Sequence, residues 1–317
     1  MAYTAGDTIL DDEYNTFVNS SSSPYGYNHF AGPGAGEYGL NQSTISTVSA
    51  GDTINASSWN ALFTGMDNIA DHTNTSITAS SVSAGDTIAI RAALITDLAS
   101  LAAAVAAGST GATALATNAV GTSTNSATWN STSTIERSVT FTDNATMRAF
   151  FNAGGKIRID PSCVTGIDGS KDTVFNDLTV TATGNLDLGA HATTRSGSGE
   201  TLTTNGLANG FHDLGTGYTV LLKLTSDNAN YTSNTVEYSA KLDAAVSSAT
   251  VLTIKMVSSD PAADTTYTSG NTSGVPANPN EAPRMTLALI EVYPTNGEGL
   301  SANIQSSSNA QVSNTQS

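Results

Sequence analysis

Apolar residues recur in this chain first at a helical period and later in alternation. In the first part the sets are Tyr14, Phe17 and Val18; then Trp59, Leu62, Phe63, Met66 and Ile69; then Leu94, Leu98, Leu101 and Val105. Each set predicts an amphipathic helix. Asn55 is placed to cap the second, and Asp11-Asp12-Glu13 favour the N-terminus of the first. The third set is narrow enough for a short coiled-coil seam and suits a single helix packed on its own domain equally well.

From 174 to 293 the pattern changes to alternation. NDLTVTA, YTVLLKL, NTVEYSAKL, ATVLTIKMV and MTLALIEVY are separated by Gly, Asn, Asp and Pro clusters, which predicts an antiparallel sandwich. Between the two regimes, SVTFTDNATMRAFFNAGGKIRID (138–160) predicts a strand, a helix capped by Asp143 or Asn144, and a second strand. Gly154-Gly155 would end that helix. Met147, Phe150 and Phe151 should then cover the sheet made by the two strands.

The pentapeptide Ala-Gly-Asp-Thr-Ile stands before each of the three early helices, at 5–9, 50–54 and 84–88. Gly6, Gly51 and Gly85 suit a turn with positive φ, the Asp can bond its own backbone, and Ile9, Ile54 and Ile88 serve as apolar anchors. Units of this size cannot bury an apolar face alone and must pack on neighbours or on other chains. The spacing, 45 and then 34 residues, rules out a regular solenoid.

The expected organisation is therefore three turn-helix repeats at 1–106, a low-complexity linker at 107–136, a strand–helix–strand connector at 137–165, a β-sandwich at 166–295, and a polar, flexible tail at 296–317. The fold class is mixed and mainly β. The Pro/Asn/Ser-rich stretch 258–283 reads as a long loop between strands.

Composition moves this picture away from catalysis. Charged residues are 12%, against about 25% in a typical soluble domain. Hydroxyl and amide side chains fill the gap, as in extracellular, fibrous or virion proteins. With 11 Lys and Arg spread thinly and a net charge of −16, neither nucleic acid nor an anionic membrane surface is an expected partner. The longest apolar run, near 88–107, is broken by Arg91, Thr96, Asp97 and Ser100, so no membrane span is expected. The first residues lack a basic region followed by an apolar core, so no secretory signal is expected. Cys163 alone excludes a disulfide framework and reads as a small buried residue.

Candidate chemistry is thin. Gly34-Ala-Gly36-Glu-Tyr-Gly39 fits the dinucleotide pattern, but no strand precedes it and no helix pattern follows. His29, His72, His191 and His212 lie in no triad or metal-binding context. Asp168, Asp172 and Asp177 lack the calcium-loop spacing and read as a solvated turn. No catalytic residue, cofactor or metal is expected. The aromatic loop holding Tyr25, Tyr27, His29, Phe30 and Tyr38 stands out instead. Such rings can insert into a neighbouring subunit, pack on the helices of their own chain, or stack on sugars.

At ATMRAFFNAGGKIRI the sequence resembles a family of virion structural proteins of tailed bacteriophages, marine and cyanobacterial ones especially, which carry a stretch of the form FFNxGGxIRI. Phe150, Phe151, Asn152, Gly154, Gly155, Ile157 and Arg158 match it. The pentapeptide units, followed by Tyr14-Asn15 and Trp59-Asn60, are similar to the N-terminal parts of such proteins. The resemblance implies particle assembly, with no catalytic residue to carry over. The expected partners are other virion proteins and further copies of this chain as a homo-oligomer, with a host-surface glycan as a lesser one. The expected location is the virion, assembled in the host cytoplasm. On that reading the interface anchors would be Ile9, Tyr14, Tyr25, Tyr27, Phe30, Tyr38, Ile54, Trp59, Phe63, Ile88, Leu94, Leu98 and Leu101.

Overall fold

The computed structural model describes residues 11–83, 91–111, 115–165, 169–261, 282–294, 300 and 305–317. The chain divides into two compact units. Unit 1 comprises residues 1–116, 143–155 and 293–305, and unit 2 comprises 117–142, 156–292 and 306–317.

Unit 1 is helical. Its elements are α1 (Asp11–Asn19), the single turn α2 (Tyr27–Phe30), α3 (Ala56–Thr73), α4 (Arg91–Ala106) and α5 (Asn144–Asn152). Asn55 accepts from Ser58 N–H at the head of α3, and Asp143 accepts from Thr146 N–H at the head of α5. The apolar stripes read from the sequence all point inward. Trp59 sits edge-on to Tyr14 at 5.2 Å and close to Phe17 and Phe63 at 6.0 and 5.8 Å. Leu94, Leu98, Leu101 and Val105 are buried, and α4 packs on α1, α2 and α3. The seam on α4 is thus covered within its own unit.

Two connecting stretches of this unit, 41–49 and 75–83, are neither strand nor helix. Their backbone groups need other partners, and asparagines supply them. Asn15 Nδ2 donates to Val48 O at 2.8 Å while its Oδ1 accepts from Val48 N at 2.9 Å. Asn60 does the same to Val82, at 2.9 and 2.8 Å. Asn28 holds Ile45 in the same two-way fashion, both bonds at 2.8 Å. Asp97 adds a second kind of tie, accepting from Thr78 N, Thr78 Oγ1 and Ala79 N.

Unit 2 holds two antiparallel sheets. Its strands are β1 (Leu115–Thr124), β2 (Thr132–Thr140), β3 (Lys156–Cys163), β4 (Leu186–Leu188), β5 (Thr193–Arg195), β6 (Thr201–Asn205), β7 (Thr219–Thr225), β8 (Thr235–Leu242), β9 (Val251–Ser259), β10 (Met285–Pro294) and β11 (Ser308–Gln316). β1 and β10 each run across a unit boundary at one end. Five strands lie in the order β1-β10-β3-β4-β5, and six in the order β11-β2-β9-β8-β7-β6. Alternate residues of β8 and β9, such as Val236, Tyr238, Leu252, Ile254 and Met256, are buried. A helix, α6 (Gly169–Asn176), runs directly into a π-helical segment at Asp177–Thr183.

Four expectations are corrected here. The linker at 107–136 contains β1 and half of β2, and the tail at 296–317 contains β11. Polar strands of this kind are held by backbone ladders, which need no apolar alternation. Side chains add to the ladders: Arg137 on β2 bonds Thr122 O, Ser123 Oγ and Asn309 Oδ1, and Asn125 bonds Asn314. Second, β2 and β3 do not share a sheet. Each has a long antiparallel partner, β9 and β10 respectively, and α5 between them belongs to unit 1. Met147, Phe150 and Phe151 are buried there and not over a two-stranded sheet. Third, NDLTVTA is helical. Val174, Phe175, Leu178 and Ala182 are buried at helical spacing, and Thr179 and Thr183 return their hydroxyls to Phe175 O and Leu178 O. Fourth, Asp172 is buried on α6 and not in a solvated turn. Most of the long loop 258–283 lies outside the described residues.

Candidate functional site

Most of the aromatic and aliphatic anchors are already spent inside the chain. Tyr14, Tyr27, Phe30, Trp59, Phe63, Leu94, Leu98 and Leu101 are buried, as are Phe150 and Phe151. The first eight have almost no side-chain surface left for a partner, contrary to their expected role as subunit anchors, whereas Phe150 and Phe151 were expected as structural residues. Tyr27 and Phe30 meet edge-to-face at 5.9 Å on α2. Ile54 is half-buried. In the second pentapeptide Gly51 has φ +91°, and Asp52 closes the turn by accepting from Ser49 N at 2.8 Å. Gly6, Ile9, Gly85 and Ile88 lie outside the described residues.

What remains accessible is a group of three rings: Tyr25, His29 and Tyr38, all half-buried. Tyr25 and His29 stack at 4.4 Å with planes 6° apart. Tyr38 leans on both, at 4.7 Å from Tyr25 and 4.8 Å from His29. Burial holds the His29 imidazolium below its ordinary pKa, so the ring is neutral at neutral pH. The Tyr38 phenol is pushed up by burial first, then by its hydrogen bond to Tyr25 and by the charge of Glu37. The shelf therefore presents the stacked rings of Tyr25 and a neutral His29, with Tyr38 leaning on both.

Its rigidity comes from α5. Tyr38 stands on the tight loop 33–39, in which Gly34 and Gly39 have φ of +58° and +105° and lie too close to one another for any Cβ. Arg148, 6% exposed, projects from α5 into this loop. Its Nη1 donates to Tyr38 O at 2.8 Å, and its Nη2 donates to Pro33 O at 2.9 Å and Gly34 O at 3.3 Å. Its Nε is fixed by Asn144 Oδ1 at 2.8 Å. One turn on, Asn152 Nδ2 donates to Gly39 O at 3.1 Å. Gly155 closes the same corner, since a Cβ there would run into Phe150, and Gly154 takes φ +83°. The aromatic loop and the FFNxGG segment, separate in the sequence, thus form one structure.

Sequence reasoning missed Arg148 as the clamp, because a guanidinium on a carbonyl-rich loop leaves no local pattern. A signal for the asparagine ties was present: Tyr14-Asn15 and Trp59-Asn60 recur, and so does the Val-Ser at 48–49 and 82–83 to which they bond.

Unit 2 offers a second aromatic surface at Tyr218, but its π-face is taken by the ammonium groups of Lys255 and Lys241, at 3.7 and 4.5 Å. Cys163 is half-buried, and its thiol is raised to about 11 by burial first and then by Asp172, which keeps it protonated and unreactive at neutral pH. Glu200 is raised to about 7 by burial first and by the carboxyls of Asp177 and Asp227. Among the described residues, no three His, Cys, Asp or Glu side chains gather to hold a metal. No described helix is long and apolar enough to cross a membrane. No protein-family model, curated protein or solved structure matches the chain.

Proposed function

We propose that this chain is a non-enzymatic structural protein of a tailed-phage virion, associated with the tail, baseplate or fibre, that works by burying surface against neighbouring subunits. The observation that carries this reading is the Tyr25–His29–Tyr38 shelf, held from behind by Arg148 and Asn152. A contact surface whose rings are already locked loses little conformational entropy on docking, and large rigid aromatics are the usual anchors of interfaces. The FFNxGGxIRI resemblance supports the same reading, because Asn152 and Gly155 of that stretch help Arg148 to hold the surface from behind. In unit 2, Arg137 reaching from β2 to Thr122 and Ser123 on β1 supports packing of the two sheets as a β-sandwich. The paired asparagine ties, Asn15 to Val48 and Asn60 to Val82, support reading the helical region as a repeated turn-helix unit.

Within this class a capsid-surface appendage or decoration protein is the alternative. Quantitative mass spectrometry of purified particles separates the two: a few to a few dozen copies indicate the tail, and hundreds indicate the shell. Absence from particles, together with a monomeric purified chain, refutes the structural reading. A carbohydrate-binding adhesin is favoured by one observation, the half-buried stacked rings of Tyr25 and His29 with Tyr38 beside them. Glycan-array binding that is lost in Tyr25→Ser/Tyr38→Ser would support it.

A further inference from the structure

A fully buried ion pair in unit 2 has no part in that surface. Lys171, in the first turn of α6, places Nζ 2.7 Å from Oδ2 of Asp260, and the two side chains are 1% and 0% exposed. Asp260 directly follows β9, and its own N–H donates to Ser131 O at 2.9 Å beside the start of β2. The site is apolar on one side. Phe175 lies one helical turn beyond Lys171 on the same face of α6 and meets Trp129 edge-on at 5.1 Å, both rings buried.

Two full charges in such a place are expensive. Desolvation costs several kcal/mol per ion, and attraction within the pair only partly offsets it. Moving one proton from the ammonium to the carboxylate removes both charges and leaves a neutral amine against a neutral carboxylic acid. The amine nitrogen then carries a nucleophilic lone pair, held beside the carboxyl of Asp260 in a site closed to solvent. Fixed proximity of this kind is worth an effective concentration of about 10⁵–10⁸ M.

We propose that Lys171 and Asp260 condense to form an intramolecular isopeptide bond. The Nζ lone pair attacks Cγ of Asp260, the Nζ–Cγ bond forms, and one carboxyl oxygen leaves with two protons as water. The ammonium and carboxylate become one neutral amide plus one water, so no oxidant, reductant or co-reactant is required. The product ties α6 covalently to the end of β9, across a separation of 89 residues. Such a brace suits a protein that must hold its shape under mechanical load.

The test is the intact mass of the purified full-length chain. The wild type should be lighter than its 32.2 kDa sequence mass by one water, about 18 Da, and digestion should yield a branched peptide joining Lys171 to Asp260. Lys171→Met and Asp260→Ala should each restore the full sequence mass. The proposal is overturned if the wild type has its full mass with Lys171 and Asp260 on separate peptides. It is equally overturned if the missing water maps elsewhere or persists in either variant. The decisive reading is made on the wild-type chain, so a variant that fails to fold does not remove the test.

Discussion

Arg148→Ala tests whether the clamp, and not the rings alone, sets the geometry of the shelf. The guanidinium makes two short bonds to carbonyls, at 2.8 and 2.9 Å, and one longer bond at 3.3 Å. Bonds from a charged donor contribute about 1.5–3 kcal/mol each, so the two short ones sum to roughly 3–6 kcal/mol. Part of that is recovered because the variant no longer buries a cation. The expected net loss is about 2–4 kcal/mol, which lowers the Tm of a unit of this size by about 5–15 °C. Arg148→Lys keeps the charge but not the fork, and should recover less than half of the loss. Thermal unfolding followed by near-ultraviolet dichroism reads the environment of Tyr25 and Tyr38. Amide exchange at Gly39 and Leu40, whose N–H groups bond Phe30 O and Ala31 O, reads the loop itself. If Arg148→Ala unfolds within about 2 °C of wild type and exchange at these amides is unchanged, the loop holds itself and the clamp argument fails.

Three further outcomes are expected. Asn60→Ala strands both backbone groups of Val82 and should cost about 1–3 kcal/mol with faster exchange at Val82, and Asn15→Ala should match it at Val48. A large disparity between the two variants would undo the equivalence of the ties. His29, with its pKa held below 6.5, takes up its proton more readily in the unfolded chain, so unit 1 loses stability as pH falls through and below 6.5. Thermal scans across that range should show a shallower decline in His29→Gln, and identical slopes would contradict the assignment. Glu200 has the opposite sign: raised from 4.5 to about 7, it binds its proton more tightly when folded, and that stability is lost as pH rises through about 7. Glu200→Gln should therefore gain on wild type as pH rises from 4.5 to about 7, and a difference that is constant across that window would speak against carboxyl repulsion.

The helices of unit 1 were readable because their apolar residues keep a period and because Asn55 and Asp143 are ordinary caps. β7, β8, β9 and β10 were readable by alternation. β1 and β11 were not: in LATNAVGTST the apolar side chains do not alternate, SNAQVSNTQ has few of them, and the placement of both strands depends on partners far away in the sequence. DLTVTAT was misread because β-branched residues favour strands in general, whereas here tertiary burial of Leu178 and Ala182 decides for a helix. The shelf was half legible. Tyr25, His29 and Tyr38 announce themselves as a cluster, but Arg148 joins them from more than 100 residues away, and nothing local records that bond.

The pairing of β11 with β2 sets a timetable. Its side-chain ties span up to 185 residues, from Ser317, directly after β11, back to Thr132 on β2. During synthesis at about 5–20 residues per second, β2 leaves the ribosome roughly 10–35 s before β11 exists. Throughout that interval one edge of β2 presents unpaired N–H and C=O groups, a template that any strand of matching register can fill. Nascent chains on one message carry such strands in close proximity. The low apolar content of β11 then acts as a safeguard, since a strand that adheres weakly to the wrong edge can still leave it in time.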